Sequence, residues 1–412
     1  MEPVNRRVTY RLYPSAAQAA GLERLCDLHR SLYNAALEER IDAWRKEALS
    51  ISFADQCKSL TLIRRDDPTY LAINAQSAQV TLKRLDHAFA AFFRRIKAGE
   101  TPGFPRFKSR DRFAGFGFKH HGDGFRFTPG ENWKHGLLRL SGIGTMPVRG
   151  EARTPGQVVN CDILRKADGW FLSLVVACEP HRERVADREA GLDWGVETFA
   201  TIAYAPGDYA AVDNARLLAE QQNAIIEEQR ALSRALRGKR SKAAKKKRRL
   251  VAKRHRKVAN RRKNRIHQVT AKLVREHRLI VTEELSIRNM TGSAKGTVEE
   301  PGSNVAQKAG LNRSILDTSP GSFLSTLQTK AEEAGCEVIL LNTRKHKPSQ
   351  TCPCCGHVRK KPLSERQHHC ERCGFVASRD QAAALAMLAA GLKLTGREPA
   401  WAARPETPSR AA

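Results

Sequence analysis

The sequence predicts an α+β protein of several domains, and three observations support this. Apolar residues recur at helical spacing within residues 15–100, and a stretch rich in glycine, proline and aromatic residues, typical of short strands, begins at Thr101. Strand and helix patterns alternate between residues 187 and 345, as in an α/β domain. Two pairs of cysteines between residues 346 and 374 indicate a small metal-binding module. A chain of 412 residues is long enough for two to four domains.

The charge is the most unusual feature of the composition. Lys and Arg number 72 against 43 Asp and Glu, which gives a formal net charge of +29 spread through the chain. A field of this sign attracts polyanions, and nucleic acid is the commonest of them. Histone-like packing proteins share such a charge, but they are usually short and lack paired cysteines. The polar amino terminus and short apolar runs predict a soluble intracellular protein with no signal peptide and no membrane partner.

The amino-terminal region is predicted to contain one strand and two long helices. Residues Arg7–Tyr13 alternate and are β-prone, and Pro14-Ser15 then supplies a helix start signal. Apolar residues at helical spacing predict amphipathic helices over Ala16–Lys46 and Asn74–Lys97. We interpret the phenylalanines of the second helix as packing contacts rather than as base-stacking platforms.

Short strands in a barrel or sandwich are predicted from Thr101 to Cys178, with a hairpin between Val158–Ile163 and Trp170–Ala177. Aromatic and basic residues interleave at the start of this stretch. They are Phe104, Phe107, Phe116 and Phe118 beside Arg106, Lys108 and Lys119. Contact with a single nucleic-acid strand and an ordinary β core are both open, because aromatic residues with a period of two satisfy either interpretation.

The densest basic run lies in the predicted helical region Leu217–Arg278, where Gly238 indicates a turn between two helices. A run of one sign this long repels itself unless a polyanion neutralises it, so we predict nucleic-acid contact rather than a solvated face. The candidate nucleic-acid-binding residues are Lys245, Lys246, Lys247, Arg248, Arg249, Arg254, Arg261 and Arg262 here, with Arg106 and Lys108 of the earlier stretch.

Acidic residues mark two predicted strands of the α/β region. Asp193 lies within the apolar strand-turn-strand pattern Ala190–Ala203, where a carboxylate is costly unless it is paired or bound to metal; the alternative is an Asp that caps a turn. The strand Leu279–Leu285 contains Glu283 and Glu284, whose side chains alternate, so only one of them can face a site at its end. The other predicted elements are a loop over Gly292–Gln307, a helix over Ser319–Ala334 and a strand over Cys336–Asn342.

Four cysteines have the spacing of metal ligands. Cys352 and Cys355, then Cys370 and Cys373, are paired so that a tight turn directs both sulfurs of a pair towards one cation, and four thiolates complete a tetrahedral zinc site. A disulfide framework is the alternative, and a reducing intracellular compartment disfavours it. Cys354 is a further thiol that leaves the ligand set open.

Three acidic residues stand out as a set although they are far apart in sequence: Asp193, Glu283 and Asp380. Asp380 follows the second cysteine pair almost directly and begins an alanine-rich helix. If the fold brings the three together, they can hold two divalent cations that activate water and stabilise the leaving oxygen in phosphodiester cleavage. Hard oxygen ligands suit magnesium.

Three segments, taken in order, resemble the motifs of a known family. GLDWGVETFATIA, IVTEELSIRNM, and the cysteine pairs followed by SRDQAAALAM resemble the first, second and third RuvC motifs of the TnpB family. TnpB proteins are RNA-guided DNA endonucleases encoded by insertion sequences and related to miniature type V CRISPR effectors. YRLYPSAAQ, PGFPRFKSR, HRKVANRRKNRIHQ and SQTC also resemble family segments, so the resemblance covers nearly the whole chain except its tail.

The resemblance implies an RNase H-like (RuvC) α/β domain with an inserted zinc ribbon, plus an amino-terminal wedge-like β-barrel and a helical recognition-like domain. It implies Asp193, Glu283 and Asp380 as catalytic magnesium ligands, with Glu283 preferred to Glu284 because the second motif of the family is Glu, then Asp or Asn, then Leu. The zinc ligands it implies, in a target-nucleic-acid-binding module, are Cys352, Cys355, Cys370 and Cys373.

Domain boundaries follow from the same resemblance. The expected domains are a β-rich wedge-like domain of residues 1–14 and 101–186, a helical domain of 15–100, a RuvC domain of 187–345 and 375–395, a zinc ribbon of 346–374 and a disordered tail of 396–412. Within the RuvC domain, 217–278 is the basic helical region and 292–307 is a lid loop over the site.

The third motif departs from the family pattern. That pattern usually reads Asp-Arg-Asp, any residue, Asn-Ala-Ala, whereas this chain has Ser378, Arg379, Asp380, Gln381 and Ala382. The metal-binding Asp is kept, but the first Asp and the Asn are replaced. Loss of an amide beside the metal ligands is expected to slow catalysis without abolishing metal binding.

We therefore expect an RNA-guided, magnesium-dependent DNA endonuclease, with guide RNA and target DNA as partners, in a prokaryotic cytoplasm and associated with the nucleoid. Base pairing with the guide would supply the choice of sequence. One alternative is a nuclease-impaired repressor that still binds DNA by its guide, which Ala382 favours and the kept carboxylates disfavour. The other is a DDE-type transposase, which a zinc unit before the last Asp fits poorly.

Overall fold

The computed structural model describes residues 3–152, 155–166, 168–179, 186–237, 242–297, 299–362 and 364–401. The chain divides into two compact units, Met1–Glu179 and Pro180–Ala412, and each mixes helices with strands, which confirms the predicted α+β class. In the described ranges no helix is both long and apolar enough to cross a bilayer. Residues 180–185, which were assigned to the wedge-like domain, lie outside these ranges.

Unit 1 contains an antiparallel sheet that has seven strands over the described residues, in the order β2-β6-β7-β1-β5-β4-β3. The strands are β1 Val4–Leu12, β2 Gly115–Phe118, β3 Phe125–Pro129, β4 Lys134–Leu140, β5 Gly144–Glu151, β6 Gln157–Lys166 and β7 Gly169–Cys178. β1 pairs with β7 on one side and β5 on the other, so Val4–Leu12 lies in the middle of this sheet. The predicted hairpin is confirmed by the pairing of β6 with β7.

The ends of this sheet approach each other through side chains. The ring of Phe118 on β2 lies 5.6 Å from the ring of Phe125 on β3. Among the described strands, hydrogen bonds do not join β2 to β3, so closure into the wedge-like barrel stays a prediction. Phe116 and Phe118 are core residues, whereas Phe104 and Phe107 are 48% and 52% exposed. The β-core interpretation therefore holds only for the first two.

The helices of unit 1 are α1 Ala16–Glu47, α2 Phe53–Asp66 and α3 Ala75–Lys97, so both predicted helices are confirmed. α2 was not predicted because its apolar periodicity is weak: only Gln56 and Leu60 are buried. A capping box starts it, in which the Ser52 hydroxyl accepts from the Asp55 N–H and the Asp55 carboxylate accepts from the Ser52 N–H. The packing interpretation of the α3 phenylalanines is wrong for Phe93, which is 54% exposed.

A buried histidine joins α1 to α3 in the core of unit 1. His29 Nδ1 lies 2.8 Å from Thr81 Oγ1, its Nε2 lies 3.1 Å from Ser77 Oγ, and its ring stacks on Phe116 at 4.9 Å. Burial, followed by the charge of Arg84, lowers the pKa of His29 to about 3. The folded state therefore holds a neutral ring at every pH above that value.

We expect unit 1 to lose stability as the pH falls below 6.5. The unfolded chain protonates His29 near pH 6.5, whereas the folded chain does so only near its pKa of about 3. The free energy of unfolding should therefore fall by about 1.4 kcal/mol per pH unit between these values. Hydrogen exchange of the α1 and α3 amides, corrected for intrinsic rates, measures the loss. His29→Gln should flatten the dependence, and an equally steep dependence in this variant would assign it to other groups.

Unit 2 is built on a mixed sheet that has five strands over the described residues, in the order β10-β9-β8-β11-β12. The strands are β8 Glu189–Trp194, β9 Thr198–Ala205, β10 Asp208–Asp213, β11 Leu279–Glu283 and β12 Glu337–Leu341. β8, β11 and β12 are parallel, and β9 and β10 are antiparallel to their neighbours. The predicted strands at 190–203, 279–285 and 336–342 are confirmed. A separate hairpin consists of β13 Gln367–His369 and β14 Val376–Ser378.

The helices of unit 2 pack on both faces of this sheet. They are α4 Leu217–Leu236, α5 Lys242–Glu276, α6 Ile287–Met290, α7 Val305–Thr318, α8 Pro320–Ala334, α9 Thr343–His346 and α10 Arg379–Leu394. On one face, Leu192 and Ile280 pack with residues of α5 and α8. On the other, Leu279 and Val281 pack with Met387 of α10. The turn predicted at Gly238 lies outside the described residues.

Two boundaries predicted for unit 2 need correction. The loop predicted over 292–307 ends at Asn304, because Val305 begins α7, whose buried Ile315 anchors it; Val298 within the loop lies outside the described residues. The predicted disordered tail is wrong for residues 396–401, because Arg397 donates to the Glu189 carboxylate and Trp401 packs on the α10 core. Residues 402–412 lie outside the described ranges.

Candidate functional site

Asp193 and Glu283 lie side by side at the carboxyl end of the unit 2 sheet. β8 and β11 are adjacent parallel strands in which Leu192 pairs with Thr282, and the Thr282 hydroxyl donates to the Leu192 carbonyl at 2.8 Å. Each acid is the next residue after this pair, so both side chains leave the sheet at the same level. Ligand and catalytic sites of α/β sheets are found at this end.

The side chains of Glu283 and Glu284 lie in different environments, as the alternation of side chains along a strand requires. Glu283 is half-buried and accepts a hydrogen bond of 3.2 Å from the Thr343 hydroxyl, while Glu284 is exposed. The backbone N–H of Glu284 donates to the Leu341 carbonyl at 2.9 Å, which holds the chain as it leaves β11. Of the two acids, Glu283 is the one whose charge acts on Asp193.

Asp380 is brought to the same place by the start of α10. Ser378 caps this helix: its hydroxyl accepts from the Gln381 N–H, and the Gln381 side chain accepts from the Ser378 N–H. Asp380 thus lies in the first turn, where the helix dipole favours a negative charge. The serine at the first position of the third motif therefore has a local structural role of its own.

Close packing of α10 on the sheet fixes this placement. A Cβ atom at Gly191 of β8 would overlap the carbonyl oxygen of Ala384, and one at Gly391 of α10 would overlap the side chain of Val281. Because Gly191 of β8 and Gly391 of α10 have no side chain, the helix can pack closely against the sheet. Ala382, at the position of the expected Asn, is 2% exposed in this interface.

We expect Gly191→Ala to destabilise unit 2 by about 3 kcal/mol, because the added methyl group meets a backbone carbonyl that cannot rotate away. Displacement of α10 should also shift Asp380 and reduce any activity of the site. Gly310→Ala on α7 is the matched control: its Cβ would meet nothing nearer than 3.9 Å, so it should leave stability equal or slightly higher. Thermal unfolding measures both, and equal stability of the two variants would contradict the packing argument.

The electrostatics of the site reflect three neighbouring carboxylates that are shielded from solvent. Burial raises the pKa of Asp193 well above its ordinary value, the charges of Glu283 and then Asp380 raise it further, and Arg379 opposes them. Burial also raises the pKa of Glu283, against the hydrogen bond from Thr343. The structure thus brings together the three acids that the sequence singled out. Mutual repulsion of this kind is relieved by bound cations.

A cavity of about 520 Å³ opens beside these acids. Besides Asp193 and Asp380, its polar lining includes Asn214, Arg216, Asp317 and Arg366. No sequence motif marks these four residues, because each reaches the cavity from a turn or a helix end. Trp194 also lines the cavity, and its indole N–H is buried with no hydrogen-bond partner in the described part of the chain.

The four predicted zinc ligands converge. The Sγ atoms of Cys352, Cys355, Cys370 and Cys373 all lie within 4.8 Å of one another. Sulfur atoms are 3.6 Å apart between Cys352 and Cys373 and 3.5 Å apart between Cys355 and Cys370. A tetrahedral Zn–S site requires about 3.8 Å, and a disulfide about 2.05 Å. The ten cysteines are free thiols, so the disulfide alternative is wrong.

Each cysteine pair sits on the same backbone turn. Gly356 and Gly374, each directly after a pair, both have φ of 71° and donate to the carbonyls of Cys352 and Cys370 at 3.1 and 2.9 Å. Burial opposes ionisation of Cys370, but backbone N–H groups of its own turn lower its pKa to about 7. Cys354 is outside the four-sulfur group. Leu363, between the two turns, lies outside the described residues.

The zinc hairpin leads directly into the acidic site. β14 ends at Ser378, which is also the cap of α10, so only Arg379 separates the hairpin from Asp380. Arg379 ties this junction back to the module by donating to the Pro362 carbonyl at 2.7 Å. The short separation between the cysteines and Asp380 in the sequence therefore reflects a direct backbone connection between the zinc module and the acidic site.

The predicted nucleic-acid-binding residues of α5 divide into two groups. Three of them form ion pairs with acids of α4 and α7: Arg254 with Glu228 at 2.7 Å, Arg261 with Glu220 at 2.5 Å and Arg262 with Asp317 at 2.5 Å. These ion pairs link α5 to α4 and α7, and contact of the three arginines with nucleic acid stays a prediction. Lys245, Lys246, Arg248 and Arg249 are exposed, while Lys247 is half-buried with its Nζ 3.5 Å from the Ala231 carbonyl.

The two basic residues of unit 1 also differ. Arg106 is exposed. Lys108 is held by the side-chain amide of Asn34, which bonds both its N–H and its carbonyl, and its Nζ lies 5.7 Å from the centre of the Tyr33 ring. Contact of either residue with nucleic acid remains a prediction.

Family models match three parts of the chain. Residues 173–294 match a model described as "Probable transposase", residues 321–387 match "Cas12f1-like, TNB domain" and residues 1–48 match "Helix-turn-helix domain". Over its described residues the third range forms β1 and the single continuous helix α1, so the name of that model does not describe this geometry.

Relatives extend over nearly the whole chain. It is 30% identical over 394 residues to "Putative RNA-guided DNA endonuclease InsQ" of Escherichia coli strain K12, covering 93% of this chain and 91% of that protein. It is 29% identical over 402 residues to a "Putative RNA-guided DNA endonuclease" of Streptomyces pristinaespiralis, covering 95% and 90%.

Solved structures share the fold at low identity. The protein in "Cryo-EM structure of the Cas12f1-sgRNA-target DNA complex" matches with a TM-score of 0.58 at 12% identity, over 93% of this chain and 98% of that one. The protein in "Structure of the mini-RNA-guided endonuclease CRISPR-Cas_phi3" matches with a TM-score of 0.50 at 9% identity, over 94% and 92%. From the relatives, whose similarity spans almost the full length, it follows that the chain belongs to the TnpB family.

Proposed function

We propose that this chain is an RNA-guided DNA endonuclease that cleaves phosphodiester bonds at Asp193, Glu283 and Asp380. The observation that carries the proposal is the meeting of these three acids at the carboxyl end of one sheet, close enough for two of them to raise the pKa of the third. The names of the relatives support the activity, since both are named as putative RNA-guided DNA endonucleases.

The donor set fits magnesium. Its atoms are hard carboxylate oxygens, and cations would offset the burial and the neighbouring charges of Glu283 and Asp380 that raise the pKa of Asp193. Divalent cations bound there would supply activation of the attacking water and stabilisation of the leaving oxygen. The chain supplies the rigid placement through Gly191, Gly391 and the α10 cap.

The remaining parts take the family roles in this proposal. The five-stranded sheet with α10 would be the RNase H-like (RuvC) domain, and residues 346–374 would be the zinc ribbon that grips target nucleic acid. The sheet of unit 1 would be the wedge-like domain, and α1 to α3 the recognition-like domain. Exposed lysines and arginines of α5, such as Lys245 and Arg249, would neutralise phosphates of the RNA or of the RNA–DNA duplex.

Co-purified RNA, a plasmid that matches the guide and magnesium provide the test. Linear product is expected with all three and none when RNA, match or magnesium is omitted. Binding to the matched plasmid without any cleavage would contradict this proposal. It would favour the nuclease-impaired repressor, in which replacement of the family Asn by Ala382 has abolished cleavage. Strand joining instead of hydrolysis would indicate transposase chemistry.

A further inference from the structure

An aromatic groove lies in unit 1 between the carboxyl-terminal parts of α1 and α3. We call it the α1/α3 groove; its volume is about 540 Å³ and its walls include Trp44, Phe93 and Phe104. These side chains are 63%, 54% and 48% exposed, although they are large and apolar. A cluster of exposed aromatic surface on one side of a domain indicates a binding site.

The rings of the groove are held in place by one another. The Phe92 ring lies 5.2 Å from Phe93 and 5.3 Å from Phe104, and Phe89 lies 5.6 Å from Phe104, all in edge-to-face contact. Phe89 packs on the core of unit 1, and the Arg40 guanidinium lies 5.1 Å from its ring centre. The rings of Phe93 and Phe104 are therefore held by ring contacts beneath them, and a flat partner can stack on them at low entropic cost.

The rim of the groove is basic. Arg40 and Arg45 line it, and α3 ends with Arg94, Arg95 and Lys97. Aromatic platforms within a cationic rim are the arrangement by which proteins bind single-stranded nucleic acid, because bases stack on the rings and phosphates pair with the cations. An apolar peptide would fit the rings but would leave the rim without a counter-charge.

We propose that the α1/α3 groove holds unpaired bases of the guide RNA, stacked on Trp44 and Phe93 with their phosphates at the basic rim. This rests on the proposed function, which makes RNA a partner. RNA is favoured over DNA because sequence-specific recognition of RNA by proteins chiefly uses unpaired bases, which stack on aromatic side chains. A second copy of this chain is disfavoured, because a two-fold contact would bring two basic rims together.

Alanine variants of the two ring residues test the proposal. Trp44→Ala and Phe93→Ala should each weaken binding of a labelled, unstructured oligoadenylate RNA about tenfold, as loss of one stacked base predicts. Trp44→Phe should keep most of the affinity but lose the quenching of tryptophan fluorescence by RNA. Tyr209→Ala is the matched control, because Tyr209 is a 51% exposed aromatic residue on β10 of unit 2 that does not line the groove. Thermal unfolding verifies that each variant is folded.

The results that would contradict the proposal can be distinguished from one another. Unchanged RNA affinity in both alanine variants would overturn the groove as a base-stacking site, and equal losses with oligodeoxyadenylate would overturn the choice of RNA. A dimer that Trp44→Ala makes monomeric in sedimentation, with RNA affinity unchanged, would assign the groove to a second copy. Binding needs neither DNA nor magnesium, so failure of cleavage by the wild-type complex would overturn the proposed function and leave this result standing.

Discussion

Asp193→Asn and Glu283→Gln are each expected to lower the rate of guided DNA cleavage about a thousandfold or more, because each removes a charge that would hold the cations needed to stabilise the transition state. Asp193 has the strongest physical case, since it is shielded and lies within the field of both other acids. Neither change adds volume, so guided binding to the matched DNA should persist. Single-turnover cleavage and gel-shift binding of the same complexes measure the two quantities separately.

Glu284→Gln is the matched control for this prediction. It removes the same charge one residue further along, but Glu284 is exposed and does not act on Asp193. Its cleavage rate should stay within a few-fold of wild type. The reverse pattern, with Glu284→Gln inactive and Glu283→Gln active, would assign the site to the other face of β11. Loss of DNA binding in the Asp193 variant would show that the acids act in assembly rather than in chemistry.

The site acids could be found from sequence because each has a distinctive position in its local pattern. Asp193 interrupts an apolar strand, Glu283 ends one, and Asp380 begins a helix directly after a cysteine pair. The sequence could not show that they meet. That follows from the parallel register of β8 with β11 and from Gly191 and Gly391, whose missing side chains carry no periodic signal.

Charge identified the basic run on α5 but not the surroundings of each cation. Arg254, Arg261 and Arg262 form ion pairs with Glu228, Glu220 and Asp317 of other helices, and their contact with nucleic acid stays a prediction. Whether a cation faces solvent or an acid depends on tertiary packing, which composition does not contain.

Other misses have the same kind of cause. α2 escaped prediction because few of its residues are buried, and Trp401 was assigned to a disordered tail because the apolar surface it covers is formed by strands distant in sequence. Local rules describe what a segment prefers, and tertiary contacts decide the cases in which the preference is weak.

Cys370→Ser is expected to lower bound zinc well below one ion per chain and to disorder residues 367–381 around the hairpin. Structural zinc contributes about 10 kcal/mol or more to folding of such modules, and the site here rests on two short turns with little apolar core of their own. Elemental analysis measures the metal, and hydrogen exchange of the β13, β14 and α10 amides measures the order. Cys354→Ser, on the thiol outside the four-sulfur group, is the control and should retain full zinc.

Loss of zinc should also reduce cleavage, although the module contains none of the three acids. β14 runs into the Ser378 cap of α10, so an unfolded hairpin removes the constraint that orients Asp380. The argument predicts a graded order: Cys370→Ser cleaves slowly, Cys354→Ser cleaves normally, and Asp193→Asn keeps its zinc while cleaving least. Unchanged zinc in Cys370→Ser would refute the four-thiolate site, and zinc loss in Cys354→Ser would make that thiol a ligand. Full cleavage by a zinc-free chain would show instead that α10 holds Asp380 by its packing against Gly191 alone.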